Sequence, residues 1–509
     1  MKKYILILVT ITSLFGCKKG YLDINENPNQ PGDGTITADL ILPRALHATA
    51  ARQGAGYGTL ANWTGQWSRG GDFGPNVQTE TYQIVSTFSD GTWNALYDNA
   101  YDYQLMDDKA KAANQNFYSG IAKVGKVLCF YELVDLFNNV PYTQAFNLST
   151  TVSPKYDKGS DIYKDLFVKL DEALVLINSG GADANIATAD IMFKGNKVKW
   201  RKFINTVRLK LVLRLANTTG IITPATELAK ITADGCLVAG ETAAVNPGYK
   251  VAFSGTNVSQ QNPFWDNYKK LVNGNEATRS TRANAFTINI QSENPLDIRR
   301  NFFFDTTVSP NGNNYVGSVY GQPIIPLNSD NQSGVAGPGL AKSASQDQWL
   351  LTAHESLFLQ AEAKLRYPGT STIAGTDASL FAAAVTESFV WLGVPNATAA
   401  AASYLASNKT TVIAGNTIEL TNYAGSTNKL QTLIYQKYFS LIGTANFEIY
   451  ADLRRTGFPA VPRSAATNVG TAYIPKRYPY PQIEFNTNAA NVAAEGTINI
   501  QTSKIFWMP

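Results

Sequence analysis

Apolar residues recur along this chain at three- and four-residue steps in two long blocks separated by a stretch without such rhythm. Between about 36 and 216, five stripes follow one another, through Leu40 to Ala51, Trp93 to Tyr101, Phe117 to Tyr131, Tyr163 to Ile177 and Trp200 to Leu211. Within the fourth, Tyr163, Leu166, Phe167, Leu170, Ala173, Leu174 and Ile177 all fall on one side of a helix, because 3.6 residues complete a turn. Five helices are predicted there. The second block, about 346–456, carries stripes through Leu351 to Leu365, Leu380 to Phe389, Leu430 to Leu441, and a short one through Phe447 and Leu453. A helix with a single apolar stripe hides it only against a neighbour, so consecutive helices are expected to pair as hairpins and stack. Trp93 and Tyr97, one turn apart, are read as core. Pro141, just behind Asn138-Asn139, ends the third helix, since asparagine tolerates a left-handed cap and proline cannot continue the ladder.

The stretch between the blocks, 217–345, is rich in Gly, Asn, Ser, Thr and Pro, with strand-like pieces such as Phe286 to Ile290, and the tail 457–509 is interrupted by Pro459, Pro462, Pro475, Pro479 and Pro481. No linker divides the chain, so 36–509 is expected to be one domain, mainly α, with a loop-rich insert.

The first residues follow a different rule. Lys2 and Lys3 precede an apolar run, Tyr4 to Phe15, that closes on Gly16-Cys17. A basic start, a run of about a dozen apolar residues and a small residue at the cut describe a secretory signal. Leu14-Phe15-Gly16-Cys17 looks like a bacterial lipobox, although Phe15 departs from the small or branched residue usual there. Residues 1–16 are therefore expected to be removed, Cys17 to carry the lipid, and 17–35 to serve as a tether. The run is shorter than the roughly 20 residues a spanning helix needs. Two or more acyl chains at roughly 0.8 kcal/mol per buried methylene anchor a protein stably.

Composition narrows the chemistry. The chain holds 43 Lys and Arg against 39 Asp and Glu, a net charge of +4 scattered over 509 residues, so no basic patch marks it as a nucleic-acid binder. Cys129 and Cys236 are read as buried thiols rather than a disulfide framework. There are two histidines, His47 and His354; His354-Glu355 begins like a zinc-protease motif, but Phe358 stands where the second imidazole belongs, and no metal or cofactor is expected. No nucleophile elbow or phosphate loop occurs in a strand-to-helix setting. The adjacent acids Asp107-Asp108 and Asp171-Glu172 do not converge on one point and read as solvated helix faces.

Several motifs stand in order along the chain. Tyr21-Leu22-Asp23-Ile24-Asn25 follows the lipobox; Asp135-Leu136-Phe137-Asn138-Asn139-Val140-Pro141-Tyr142 closes the third helix; Glu355-Ser356-Leu357-Phe358 leads to Gln360-Ala361-Glu362-Ala363; and Tyr450-Ala451-Asp452-Leu453-Arg454-Arg455-Thr456-Gly457 precedes Pro475-Lys476-Arg477-Tyr478-Pro479 and the Lys504-Ile505-Phe506-Trp507 ending. Together they resemble the SusD/RagB family of nutrient-binding outer-membrane lipoproteins of Bacteroidota, most closely its SusD-like second group. The resemblance implies tetratricopeptide-like helical hairpins with an irregular subdomain beside them. It also implies a lipid-anchored, surface-exposed protein of the outer membrane, held through acylated Cys17, that binds an oligosaccharide or similar nutrient and delivers it to a SusC-like TonB-dependent transporter. Glu355 and Glu362, seven apart on one helix face, are expected to meet Arg454 and Arg455 inside the scaffold.

A glycan binder needs flat apolar platforms for sugar C–H faces, rimmed by groups that match hydroxyls. Aromatics at helical spacing belong to the core, so loop position is the filter. Two clusters pass it: Trp63, Trp67, Arg69, Asp72, Phe73, Asn76 and Tyr82 among glycines, and Phe264 to Tyr268 followed by Arg279, Arg282, Tyr315 and Tyr320 in the insert. Trp67, Phe73 and Trp265 are the expected platforms, with Asp72, Asn76 and Arg279 as polar partners. The residues by themselves leave open a surface glycoside hydrolase, whose carboxylates would meet only in space, and an adhesin or scaffold without a small ligand.

Overall fold

The computed structural model describes residues 35–147, 149–181, 183–307, 314–413 and 415–509; the expected signal sequence and the expected lipid-bearing Cys17 lie outside the described residues. All five stripes of the first block form helices: α1 (Ala38–Ala55), α2 (Asp90–Ala112), α3 (Asn116–Phe137), α4 (Gly159–Ser179) and α5 (Lys197–Arg214). α2 packs on α3, and α3 on α4, as successive antiparallel hairpins, while α1 lies across α2 and α3. α3 is consequently covered on nearly every side, where the sequence indicated one face. Its end is the corner expected. Asn138 takes a φ of 70°, its N–H bonds back to Val134 at 2.8 Å, and Val140–Pro141 then pairs with Tyr156–Asp157. Trp93 is buried, with its ring centroid 4.9 Å from that of Tyr97.

The insert contributes α6 (Ala285–Ser292), and the second block α7 (Ala353–Arg366), α8 (Asp377–Leu392), α9 (Ala397–Leu405), α10 (Lys429–Leu441) and α11 (Asn446–Thr456). The caps are local. Thr376 and Ser379 form a reciprocal capping box ahead of α8, and Gly393 and Gly457 close α8 and α11 in the left-handed region, where glycine is unstrained. The chain is thus mainly helical, in tetratricopeptide-like pairs. Phe286 to Ile290 is not a strand: Asn284 caps a helix there by accepting from the Phe286 N–H at 2.9 Å, and the turn carries Thr287 inward to the Tyr438 hydroxyl at 2.8 Å. Alternation of Phe286, Ile288 and Ile290 fits a period of two, but the cap and the tertiary contacts of Thr287 decide otherwise.

Strands are few and short. β1 (Trp67–Arg69) pairs antiparallel with β3 (Thr281–Ala283), in register Trp67 to Ala283; β2 (Ala243–Val245) pairs with β4 (Gln348–Leu351); and β5 (Thr410–Ile413) with β6 (Asn416–Glu419) forms a hairpin. Two of these join the first block or the insert to residues more than 100 positions away.

Between the blocks lies a buried ionic network. Lys210 of α5 sits 2.8 Å from Glu355 of α7 and 3.1 Å from Glu448 of α11, and Arg214 sits 2.7 Å from Glu448 and 3.0 Å from Asp135 of α3. Arg455 forks onto Glu362 at 2.5 and 2.6 Å. The expected match of two acids to two arginines is therefore half right. Arg454 instead stacks on the rings of Tyr450 and Trp507, 3.9 and 4.9 Å from their centroids, and donates to the carbonyls of Asp135 and Lys476. Cys129 and Cys236 are buried free thiols, each pushed up to about 12 chiefly by burial. His354 is buried and driven down to about 3, first by that burial, so it is neutral. Asp107 is not on a solvated face as expected; it is buried, 2.6 Å from Lys111 and bonded by the Ser119 hydroxyl. Among the described residues no helix is long and apolar enough to cross a membrane, and no group of His, Cys, Asp or Glu is placed to hold a metal.

Candidate functional site

The chain leaving β1 runs Gly70-Gly71-Asp72-Phe73 over the surface and is threaded between two pieces of the insert. A Cβ at Gly70 would lie 2.2 Å from the Arg279 carbonyl, and one at Gly71 only 1.6 Å from the Leu327 carbonyl, so both positions demand glycine. The loop is pinned on both sides. Gly70 N–H donates to Ser280 at 2.9 Å, Gly71 N–H to the Gln332 side chain at 2.7 Å, and Arg69, 3.0 Å from Glu80, donates to the carbonyls of Phe73 and Gln322.

This threading brings Asp72 and Arg279 together across 207 positions of sequence. Arg279 Nη2 is 3.0 Å from Asp72, and the same guanidinium forks onto Asp330 at 2.6 and 3.1 Å. Asp72 also accepts the Ser329 N–H at 3.1 Å, and that bond first, then Arg279, holds its carboxyl below the ordinary 3.8. All three side chains remain open to solvent, Asp72 at 37%, Arg279 at 43% and Asp330 at 48%. Beside them Phe73 is 40% exposed. Asn76 is exposed, with its side-chain oxygen capping the Val77–Glu80 turn through the Thr79 N–H at 3.2 Å. Below the junction a cleft of about 270 Å³ is lined by Tyr268, Glu276, Arg282 and Asp305, with Lys269 paired to Asp305 at 2.7 Å and Arg282 to Glu276 at 2.8 Å.

Two expected platforms fare differently. Trp67 is a correction: it is 0% exposed, lies inside the β1–β3 pair opposite Ala283, and rests on the Tyr268 ring at 4.8 Å, so it offers no face to a ligand. Glycine around it suggested an open loop, but the segment is a strand. Trp265 sits on the short helix Pro263–Tyr268, capped by Asn262, and is half-buried against the core. No hydrogen bond, ion pair or ring contact among the described residues joins it to the Asp72–Arg279 junction. Asp330 and Ser329 were not singled out from the sequence, because nothing in their local pattern separates them from the rest of the polar insert.

Residues 48–481 match the model of the SusD-like second group, described as starch-binding and associating with the outer membrane. The chain belongs to this family. Its fold is that of solved SusD homologues: a SusD-like protein from Bacteroides thetaiotaomicron (21% identity, TM-score 0.73, covering 92% of this chain and 98% of that one), one from Bacteroides fragilis (22%, 0.72, 93% and 99%), and a chitin-binding homologue from Flavobacterium johnsoniae (23%, 0.72, 92% and 97%). A comparison with curated proteins returned no match. In this SusD-like chain the junction lies between segments from the first block and the insert, where solvent-facing loops are held on a rigid helical scaffold.

Proposed function

We propose that this SusD-like protein is a non-catalytic glycan binder of the outer membrane, anchored through acylated Cys17 and facing outward, that captures a nutrient oligosaccharide at the Asp72–Arg279–Asp330 junction and passes it to a SusC-like TonB-dependent transporter. The observation that carries the binding reading is the junction itself: an exposed Phe73 beside a solvated fork of two carboxylates on one guanidinium. Phe73 offers an apolar face to a sugar ring. Asp72, Asp330, Arg279 and the Asn76 amide match hydroxyls as acceptors and donors, and Trp265 adds a half-buried ring elsewhere on the insert surface. The transporter and the lipid rest on the family resemblance and on the Leu14 to Cys17 motif.

A hydrolase reading finds less support at this place. A glycosidase acid is kept protonated by a raised pKa, whereas Asp72 is shifted down by the Ser329 N–H and Arg279. Calorimetric titration of the chain with starch- and chitin-derived oligosaccharides, followed by product chromatography, tests the reading. Expected are saturable binding, no cleavage, and about tenfold weaker binding in Phe73→Ala and in Arg279→Ala, the loss of one such contact being on the order of 1–2 kcal/mol. Cleavage products, or no heat with any glycan, defeat it.

A further inference from the structure

Beyond the junction, past the other end of the β1–β3 pair, a separate cleft of about 380 Å³ opens between α6 and the β5–β6 hairpin. Its size falls within the roughly 300–1,000 Å³ typical of small-molecule pockets. One wall is a single helix face: Phe286, Asn289, Ile290 and Glu293 stand at i, i+3, i+4 and i+7. Val412 of the hairpin, 66% exposed, and Val319, 44% exposed, bring further apolar surface that nothing among the described residues covers. Gly65 shapes the floor. At its φ of +71° a Cβ would stand 2.9 Å from the Phe286 ring, so glycine there lets the ring lie against the backbone.

Asn284 and Tyr320 at this floor are committed, the first to the Trp67 carbonyl and the Phe286 N–H and the second to the Thr79 carbonyl, but other polar groups there are not. Asn62 also lines the cleft, its side-chain oxygen buried and without a hydrogen-bond partner among the described residues. Asn289 and Glu293 are exposed and make no side-chain hydrogen bond or ion pair among the described residues. Arg463, the cation among the described residues lining the cleft, keeps its charge but has its Nε and Nη2 donors taken by the carbonyls of Ala472, Val469 and Gly470. The Asn289 amide, which donates and accepts, and the Glu293 carboxylate, which accepts, over an apolar floor suit a ligand that presents hydroxyl groups from the edge of a flat, weakly polar ring. An anionic ligand would meet the Glu293 carboxylate, while the Nε and Nη2 donors of Arg463 are already taken by backbone carbonyls.

We propose that this cleft is a second binding site, for an uncharged pyranose unit, and that it discriminates against uronic-acid sugars. The proposal rests on the glycan-binding reading above and adds to it a second place and a charge selectivity.

The test uses the full chain in detergent and isothermal titration with maltohexaose, cellohexaose, chitohexaose and trigalacturonate. At least one neutral hexasaccharide is expected to bind and trigalacturonate not to. Asn289→Ala and Glu293→Ala, both at exposed positions, should each weaken the neutral ligand about tenfold with an unchanged circular dichroism spectrum. Val412→Arg, which adds a guanidinium with free donors at the rim, should make trigalacturonate binding measurable. If neutral binding is lost in Phe73→Ala and Arg279→Ala but is untouched in the Asn289 and Glu293 variants, the second site is refuted while the glycan-binding function stands. If trigalacturonate binds the unmodified chain as tightly as the neutral sugars, the selectivity is refuted. If no neutral hexasaccharide binds the unmodified chain, both readings fall together.

Discussion

Trp67 and Phe73 lie six positions apart in one glycine-rich segment and do opposite things. Trp67 fills space between β1 and the ring of Tyr268, whereas Phe73 stands at the tip of the loop with two-fifths of its surface open. Composition treats them alike; strand pairing separates them. Trp67→Ala should therefore lower stability by about 3–5 kcal/mol, the usual result of emptying a large buried aromatic site, while leaving glycan affinity at low temperature little changed. Chemical denaturation and titration of the same variant measure the two effects independently. Gly71 makes the complementary case. Gly71→Ala drives a methyl onto the Leu327 carbonyl, so the loop must shift and the Asp72–Arg279 contact with it; the expected outcome is weakened glycan binding with a melting temperature close to the parent's.

At the scale of elements, periodicity was a reliable guide wherever a helix needed one buried face. The five stripes of the first block and the four of the second each became a helix, and the Asn138 corner formed as its residues dictate. α9 escaped notice because its alanine-rich sequence carries too little contrast between faces. α6 departs from the strand its sequence suggests because short apolar runs satisfy periods of 2 and 3.6 nearly equally. Its true form matters, since only the helix places Phe286, Asn289, Ile290 and Glu293 on one wall. Between elements, the Glu362–Arg455 fork ties α7 to α11 and is shared by Arg366 at 2.7 Å. Removing the charge from one member strands the others in the interior, so Glu362→Gln is expected to cost about 3–5 kcal/mol, read from urea unfolding.

For the whole molecule, the same network predicts how stability depends on pH. Burial pushes the Glu448 carboxyl up, but Lys210, Arg214 and Lys437 more than offset this and hold it down at about 2, against an ordinary 4.5. Glu362 and Asp452 are lowered in the same way, burial being outweighed first by Arg455. A carboxylate whose folded pKa is depressed contributes stability above its unfolded pKa and loses it as pH falls through the folded value. Glu355 moves oppositely, raised by burial that Lys210 only partly offsets, and takes a little from the slope. The melting temperature should hold steady near neutrality and fall between about pH 4.5 and pH 2; in Glu448→Gln the fall should be shallower from a lower starting point. Thermal scans across that range check both. A further expectation belongs to the cell: Cys17→Ser should abolish palmitate incorporation and release the protein from the membrane fraction, as followed by labelling and fractionation.

What the linear order of residues determined here is what depends on near neighbours: helix spacing, caps and corners, and the family motifs in sequence. Those features follow from chemistry within a turn or two of the chain. Tertiary structure alone decided which aromatic faces solvent, which acid Arg454 declines and Arg455 accepts, and which distant loops share a guanidinium. Asp72, Arg279 and Asp330 come from three segments, and their meeting depends on two glycines that let one loop pass between two others. No local pattern encodes that passage, because it arises only when the helical scaffold brings the three segments to one surface.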